Sequence, residues 1–326
     1  MCKPCIAMAR IWIAVALMTI AGICAAQPAY PSKPIRFITP YAAGGSTTVT
    51  AHLIGQKLSE SLGQPVIVEN RPGGNTIIGT EALVKSPPDG YTILLTTSGH
   101  LTTGALLNTP YDVIKDFAPV ATIVSAEQML VLNPRVPASN LLEFIALAKS
   151  KPGQLNYGTP GAGGPSHLAM ELFSILAGVK LQHIPYKGAG QSMTDVIGGQ
   201  VQLTFSNPIN TVAHIRSGKV RGLAISGAAR SSVLPQVPTF TEAGLPGFEA
   251  SLWQGVLAPA GTPRGVIDRL SVEIAKILAM PEIKEKMASQ GTEPFASTPE
   301  QFGALLKSDL ARYTKIIKSA NIKLEN

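Results

Sequence analysis

The sequence predicts an α/β fold of two lobes, each a mostly parallel sheet flanked by helices, with hinge strands between the lobes. Short β-branched runs alternate with amphipathic stretches along most of the chain, which is typical of parallel sheets. This alternation breaks at residues 119–134, where two strands follow each other directly. After a proline-rich stretch, a strand near Trp253 returns to the first pattern. The chain is therefore predicted to cross between the lobes more than once.

The first lobe is predicted to comprise residues 27–126 and 253–326. Its first three strands lie in PIRFITPY, PVIVEN and YTILLTTS, and Gly99 ends the third. Two helices separate these strands, AHLIGQKLSESL and NTIIGTEALVK, and the first of them has apolar residues at helical spacing. The returning strand SLWQGVLAPAGTP is followed by three predicted helices, residues 264–278, 282–290 and 299–320.

The second lobe is predicted to comprise residues 127–252 and to repeat the same pattern. Its strands are predicted in LNYGT, LQHIPY, VQLTFS and VRGLAIS, and its helices in NLLEFIALAKS, SHLAMELFSILAG, AGQSMTDVIGG and NTVAHIRSG. The segment LPQVPTFTEAGLPG is predicted to be irregular. Two α/β lobes with more than one crossing are typical of hinged receptors and also of several two-domain enzymes, so the architecture alone leaves the function open.

The first 26 residues are predicted to be a signal peptide that is removed. Lys3 and Arg10 precede an apolar run, residues 11–23, that is too short to span a bilayer comfortably. A small-residue cleavage site ends at Ala26. We therefore expect the exported chain to begin at Gln27 and to be periplasmic.

Cysteine content and charge limit the function classes. All three cysteines lie in the leader, so the exported chain forms no disulfide and has no cysteine nucleophile. Cys24 is a candidate lipidation site, but the preceding Ile23 does not fit a lipobox. Without the leader, 25 basic residues face 20 acidic ones and no basic cluster is present, which disfavours nucleic-acid binding. The positive balance fits either an anionic small molecule or simple solubility.

Glycine- and hydroxyl-rich loops follow strands in both predicted lobes. In open parallel sheets a ligand binds outside the carboxyl ends of the strands, and a helix that starts there offers free N–H groups to an anion. The candidate binding residues in these loops are Tyr41, Ala43, Gly44, Gly45, Ser46, Thr47 and Thr48 after the first strand, Ser98 and His100 after the third, and Thr159, Gly161, Gly163, Ser166, His167, Lys187, Gly188, Ala189, Ser206 and Asn207 in the second lobe. We predict that two facing helix N-termini each hold one carboxylate group.

Motifs for other chemistry are missing. The chain has no P-loop, no G-x-G-x-x-G after a strand, no G-x-S-x-G and no H-E-x-x-H. A catalytic site assembled across several loops stays open as an alternative. His100 and His167 are either solute donors or histidines that stabilise a helix start, and Lys187 is either a solute partner or a rim charge. We expect a structural role for His183 and hinge packing for Trp253.

Several long segments resemble the Bug receptors, which are periplasmic solute-binding components related to tripartite tricarboxylate transporters. The resemblance extends over essentially the whole chain after the leader, in the same order, and is carried by segments such as YPSKPIRFITPYAAGG, LGQPVIVENRPGGNTIIGTEAL, PDGYTILLTTSGH, YGTPGAGGPSHLAMELF, HIPYKGAGQSMTDVIGGQVQLTF and WQGVLAPAGTP. It implies a fold like the type II periplasmic binding proteins, with two lobes that close over a small carboxylate without catalysis, metal or cofactor. It also implies that residues 41–48 and 159–167 grip carboxylate groups through amides, hydroxyls and ordered waters.

Three positions depart from the pattern of that family. Thr48 stands where an acidic residue is frequent, His52 where arginine is frequent and Ser206 where aspartate is frequent. Fewer carboxylates at the cleft disfavour a solute with an ammonium group, which needs a counter-charge. We expect a di- or tricarboxylate or an aromatic acid, bound by a monomer that serves a tripartite transporter or a sensor kinase. The alternative is a secreted hydrolase or transferase.

We predict that the exported protein begins at Gln27 and carries no lipid. The intact mass of protein from the periplasmic fraction should match residues 27–326, because signal peptidase cleaves after the small residues that end the leader. A membrane-bound species with a lipidated Cys24 would contradict this assignment.

Overall fold

The structure is a computed structural model that describes residues 30–186, 188–227, 229–231, 233–248, 250, 252–289 and 292–322. The predicted signal peptide, residues 1–26, lies outside the described residues. Within the described part of the chain, no helix is both long and apolar enough to cross a membrane.

Strands and helices alternate along most of the described chain. In chain order they are β1 (Ile35–Thr39), α1 (Ser46–Leu62), β2 (Val66–Asn70), α2 (Ile77–Val84), β3 (Thr92–Thr97), α3 (Gly99–Leu106), β4 (Phe117–Ala126), β5 (Met129–Leu132), α4 (Leu141–Ser150), β6 (Asn156–Thr159), α5 (Pro165–Ala177), β7 (Gln182–Pro185), α6 (Ala189–Gly198), β8 (Leu203–Ser206), α7 (Pro208–Arg216), β9 (Arg221–Ile225), β10 (Leu252–Pro259), α8 (Arg264–Ala279), α9 (Pro281–Ser289), β11 (Glu293–Pro294) and α10 (Pro299–Ser319).

The first sheet has six strands in the order β11-β4-β10-β3-β1-β2. Strands β1, β2 and β3 pair in parallel, whereas β10 inserts antiparallel between β3 and β4. Strand β11 also runs antiparallel to β4. We call this sheet and the helices α1–α3 and α8–α10 the first lobe.

The second sheet has five strands in the order β7-β6-β8-β5-β9. Strand β6 is parallel to both of its neighbours, and β5 is antiparallel to β8 and β9. We call this sheet and the helices α4–α7 the second lobe. The predicted α/β fold with two mostly parallel sheets is confirmed. The strands β5, β10 and β11 run antiparallel to the other strands of their sheets.

Each sheet is covered by helices on both faces. In the first lobe, α1 and α8 bury Ile54, Leu58 and Ile274 against one face, and α3 and α10 bury Leu101 and Phe302 against the other. In the second lobe, α4 and α5 cover one face and α6 covers the other. The site therefore has to lie at the ends of the strands, because the faces are occupied.

Helix α3 was not among the helices predicted from the sequence, although a helix start near His100 was one of the two alternatives for that residue. Its segment GHLTTGAL contains two glycines and two threonines, which are poor helix formers. The helix is stabilised instead by packing, since Leu101 is fully buried. A Cβ on Gly104 would lie 2.2 Å from Val113 Cγ1, so the glycine is needed for the close approach of the segment that follows α3.

Trp253 belongs to the returning strand β10 and packs against the C-terminal helix α10. Its indole Nε1 donates to Asp309 Oδ2 over 2.8 Å, and its ring contacts Phe302 edge-on. Leu168 of the second lobe joins the same apolar cluster. The geometry therefore favours hinge packing for Trp253 over a role in the cleft wall.

We predict that Gly255→Ala destabilises the first lobe. Gly255 lies in β10, and an added Cβ would sit 2.4 Å from Phe302 Cζ in the core. Overpacking of this kind costs about 1–3 kcal/mol, which urea unfolding would measure. The matched control is Gly265→Ala in α8, where an added Cβ meets open space and alanine is the better helix former. Equal stability of the two variants would contradict the predicted clash.

Candidate functional site

The topology brings the loops of both lobes to edges that face each other. Because β10 is antiparallel to both β3 and β4, the carboxyl ends of β1, β3 and β4 share one edge of the first sheet. The chain leaves β4 at this edge and enters β5 two residues later. Because β5 is antiparallel to β8, the carboxyl ends of β6, β7 and β8 lie where β5 begins. The predicted loops therefore lie on either side of the crossing.

The first-lobe loop, residues 40–45, joins β1 to α1 and is open to solvent at its tip. Residues 42–46 are exposed, and Gly44 has a φ of +88°. The N-cap of α1 is Gly45, and no side chain caps the helix. The first N–H groups of a helix have no partner within it, so the start of α1 presents unpaired donors at the facing edge.

Side chains from two neighbouring strands hold the first-lobe loop. The amide of Asn70, at the end of β2, donates to Tyr41 O over 2.9 Å and to Thr48 Oγ1 over 2.8 Å. Thr48 in turn donates to Ala42 O over 3.2 Å. The hydroxyls of Tyr41 and Thr97 lie 2.7 Å apart, which connects the loop to the end of β3. The Thr48 side chain thus stabilises the loop.

The second-lobe loop, residues 159–164, has a backbone that requires glycine. Gly161 and Gly163 have φ values of +104° and +72°. The N-cap of α5 is Gly164, again without a side-chain cap. The first residue of α5, Pro165, has no N–H, so the donors that the helix presents at the facing edge are the N–H groups of Ser166 and His167.

Two stacked histidines lie under the second-lobe loop. The N–H of Gly163 donates to His167 Nδ1 over 2.9 Å. Thr159 Oγ1 donates to Gly161 O over 2.8 Å and lies 2.7 Å from His183 Nε2. The two imidazole rings stack with their centroids 3.8 Å apart. Burial lowers the pKa of each histidine to about 4, so both are neutral near neutral pH.

The remaining second-lobe candidates lie at the ends of β7 and β8. The N-cap of α6 is Gly188, which has no side-chain cap and is followed by the exposed Ala189. Ser206 ends β8 and Asn207 follows it, and both are half-buried. Lys187 lies outside the described residues, so its predicted role stays a prediction.

Two candidates of the first lobe are buried in its core. Ser98 and His100 are both 0% exposed. The ring of His100 packs on Tyr111 and Phe117, its Nε2 lies 3.0 Å from Val113 O, and burial lowers its pKa to about 4. The geometry therefore favours a packing role for His100 over direct contact with a solute.

The crossing segment connects directly to the start of α5. Ser166 Oγ donates to Oε1 of the buried Gln128 over 2.8 Å. The backbone of Gln128 exchanges hydrogen bonds with Ser226, which follows β9. Sequence reasoning did not identify Gln128 or Asn70. The rule that functional residues follow the carboxyl ends of strands could have identified Asn70, because this residue ends the strand next to β1.

The comparisons with known proteins point to a single family. The family described as "Tripartite tricarboxylate transporter family receptor" matches residues 50–322. Protein BugT of Bordetella pertussis is 39% identical over 310 residues, which cover 94% of this chain and 95% of BugT.

Solved structures are similar over nearly the same length. The structure of Rpa4515 from R. palustris with adipate has a TM-score of 0.76 and 32% identity, and the match covers 90% of this chain and 99% of Rpa4515. The structure of MatC from Rhodopseudomonas palustris with bound malate has a TM-score of 0.73 and 28% identity, with 88% and 100% covered. The structure of the periplasmic binding protein BugD has a TM-score of 0.73 and 33% identity, with 91% and 100% covered.

We predict that Asn70→Ala loosens the first-lobe loop. The variant loses two hydrogen bonds, to Tyr41 O and Thr48 Oγ1, so the free energy of unfolding should fall by about 1–3 kcal/mol. Amide hydrogen exchange of residues 41–50 should accelerate. Thr48→Ser is the control, because its hydroxyl can still accept from Asn70 and donate to Ala42 O, so it should have the smaller effect. Unchanged exchange in Asn70→Ala would show that the loop does not depend on this amide.

Proposed function

The chain belongs to the tripartite tricarboxylate transporter receptor family, and we propose that it is a periplasmic receptor that captures a small carboxylate in the cleft between its lobes. The solute is a di- or tricarboxylate or an aromatic acid. The receptor acts as a monomer and delivers the solute to the membrane components of a tripartite transporter or to a sensor kinase. Its lobes divide at residues 126/127 and 252/253.

The observation that carries this proposal is the glycine N-cap of three helices at the facing edges. Gly45, Gly164 and Gly188 precede α1, α5 and α6, and none of the three helices has a side-chain cap. By contrast, Asn140 and Thr298 cap α4 and α10 through their side chains. A glycine cap supplies no side-chain oxygen to the first N–H groups and leaves room for a ligand oxygen to approach them.

The energetics favour a ligand with two anionic ends. One helix N-terminus contributes about 0.3–1 kcal/mol to a nearby anion. Each charge-assisted hydrogen bond from an amide or hydroxyl adds about 1.5–3 kcal/mol. A solute that reaches a helix start in each lobe makes both sets of interactions when the lobes are closed and only one set when they are apart. This difference in binding free energy between the two states is what shifts an open–closed equilibrium.

The side chain of Thr48 supports the preference for plain carboxylates. Thr48 is buried and bonded to Ala42 and Asn70, so this position offers no carboxylate to an ammonium group. Adipate and malate, which the related structures of Rpa4515 and MatC contain, carry no ammonium group.

A thermal-shift screen with a carboxylate library tests the proposal. A receptor that binds a solute only in its folded state is stabilised by RT ln(1 + [L]/Kd). We expect a di- or tricarboxylate or an aromatic acid to raise the melting temperature and to be recovered chemically unchanged. Recovery of an altered compound would favour the hydrolase or transferase alternative.

We predict that Gly45→Asp and Gly164→Asp each abolish most carboxylate binding without destabilising the protein. Both glycines have extended backbone angles, and an added Cβ meets no atom closer than 3.7 Å. Aspartate is a favourable N-cap, so stability should rise by a few tenths of a kcal/mol, roughly. Its charge repels a bound carboxylate by about 1–4 kcal/mol, so calorimetry should report an affinity at least about fivefold lower.

Two controls separate charge from shape. Gly45→Asn and Gly164→Asn introduce a cap of the same shape without the charge, so the difference between the aspartate and asparagine variants isolates the repulsion. Asn140→Asp adds a carboxylate at the start of α4, which follows the far end of β5, and should leave the affinity unchanged. If the aspartate and asparagine variants bound equally well, no anion would lie at these helix starts.

A further inference from the structure

The second-lobe loop depends on two imidazoles for its side-chain hydrogen bonds. Gly163 N–H donates to His167 Nδ1, and Thr159 connects Gly161 O to His183 Nε2. The rings lie nearly parallel, at an interplanar angle of 14°. His167 comes from α5 and His183 from β7, so the stack also joins the two elements that flank the loop.

We infer that His167 and His183 are positioning residues that hold the second-lobe loop in the conformation that receives a carboxylate, and that His167 does so only while its imidazole is neutral. This inference rests on the proposed function of the loop. It assigns neither histidine a contact with the solute: His167 is buried beneath the loop and acts through the backbone of Gly163.

The hydrogen bonds define the tautomer of each ring. Because the backbone N–H of Gly163 can only donate, His167 Nδ1 must accept and the proton is on Nε2. The Thr159 hydroxyl donates its only proton to Gly161 O, so His183 Nε2 must donate to Thr159 Oγ1. Each ring thus has a bare Nδ1, and only the one on His167 faces a donor.

Protonation of His167 would break its contact with the loop. A proton on Nδ1 would point at the Gly163 N–H, whose nitrogen is 2.9 Å away, and two donors cannot share a hydrogen bond. Gly163 would have to move, and with it the start of α5 at Gly164. A charge on either ring would also lie 3.8 Å from the other ring, so the stack disfavours two charges.

Some groups around the stacked rings favour a charged His167 imidazole, and others disfavour it. Glu171 Oε1 lies 3.8 Å from His167 Nε2 and favours a charged ring. That oxygen also accepts from Tyr157 OH, and burial raises the pKa of Glu171, which weakens its effect. The positive end of α5 opposes the charge, because His167 is the third residue of the helix. Burial lowers the pKa of both imidazoles to about 4, so the factors that disfavour a charged ring outweigh the attraction of Glu171.

The test compares His167→Asn with His167→Leu. Asparagine places an oxygen near the position of Nδ1 and can still accept from Gly163, whereas leucine fills similar space without an acceptor. With malate or adipate as the probe near pH 7.5, we expect leucine to lower the affinity about tenfold, and asparagine about threefold or less, as for one lost hydrogen bond. Equal losses in the two variants would overturn the positioning role.

A pH profile distinguishes positioning from simple packing. The ratio of wild-type to His167→Asn affinity cancels the protonation of the probe itself. We expect this ratio to stay constant above about pH 6 and to fall below about pH 5, because only the wild type loses its acceptor by taking up a proton. A ratio that rises on acidification would overturn the inference and indicate direct attraction of the solute by a charged histidine.

A measurement on the protein without solute separates this inference from the proposed function. Imidazole ¹⁵N spectra should show His167 and His183 as neutral Nε2–H tautomers near pH 6, and the Gly163 amide resonance should shift as His167 titrates. In the unfolded chain these histidines take up protons near pH 6.5, so the free energy of unfolding should fall as pH decreases from about 6.5 towards 4.

A Gly163 resonance that does not shift while His167 titrates would overturn the inference even if malate or adipate binds. Failure of both probes to bind, with the resonance shifting, would count against the proposed solute class alone.

Discussion

The structure depends on how the first N–H groups of its helices are satisfied. A helix start leaves donors that need a partner, and the described helices differ in what their N-caps supply. Thr76, Ser98 and Pro263 precede α2, α3 and α8 and give no side-chain hydrogen bond. Asn140 and Thr298 supply side-chain oxygens to α4 and α10, whereas α1, α5 and α6 start with glycines that supply none. The alternation of strand and helix, with β5 and β10 reversed, places these glycine-capped starts at the two edges that face each other. In the proposed receptor, the solute completes hydrogen bonds that the protein leaves open.

Glycine loops that leave donors open need support from elsewhere, and the two lobes obtain it differently. In the first lobe the amide of Asn70 bonds to Tyr41 and Thr48; an amide does not titrate, so this support is insensitive to pH. In the second lobe the support is the imidazole of His167, which works as an acceptor only when it is neutral. Burial and stacking keep it neutral, so the same packing that orders the loop also maintains its chemistry.

The sequence was informative wherever the signal is local. Strand and helix periodicity located nearly all elements, and glycines after strands located the loops. Helix α3 was missed because its glycines and threonines disfavour a helix, and only the buried contacts of Leu101 and Gly104 stabilise it. The place of β10 between β3 and β4 follows from pairing across more than a hundred residues, which no local pattern encodes. A structural role for His183 was expected from the sequence, and Asn70 ends a strand next to β1. The groups that Asn70, Gln128 and His183 support lie far away in sequence, however, so these partners emerged only once the strands were placed side by side.

The start of α5 is connected to the rest of the molecule in two ways. Ser166, in the first turn of α5, is bonded to Gln128 in the crossing segment, and Gln128 is bonded to Ser226. Leu168, one residue after His167, packs in the same apolar cluster as Tyr313 and Ile316 of α10. Because packed interiors transmit strain, a displacement at the start of α5 reaches the crossing through hydrogen bonds and the C-terminal helix through apolar contacts. In the proposed receptor, solute capture at the start of α5 therefore acts on both of these contacts.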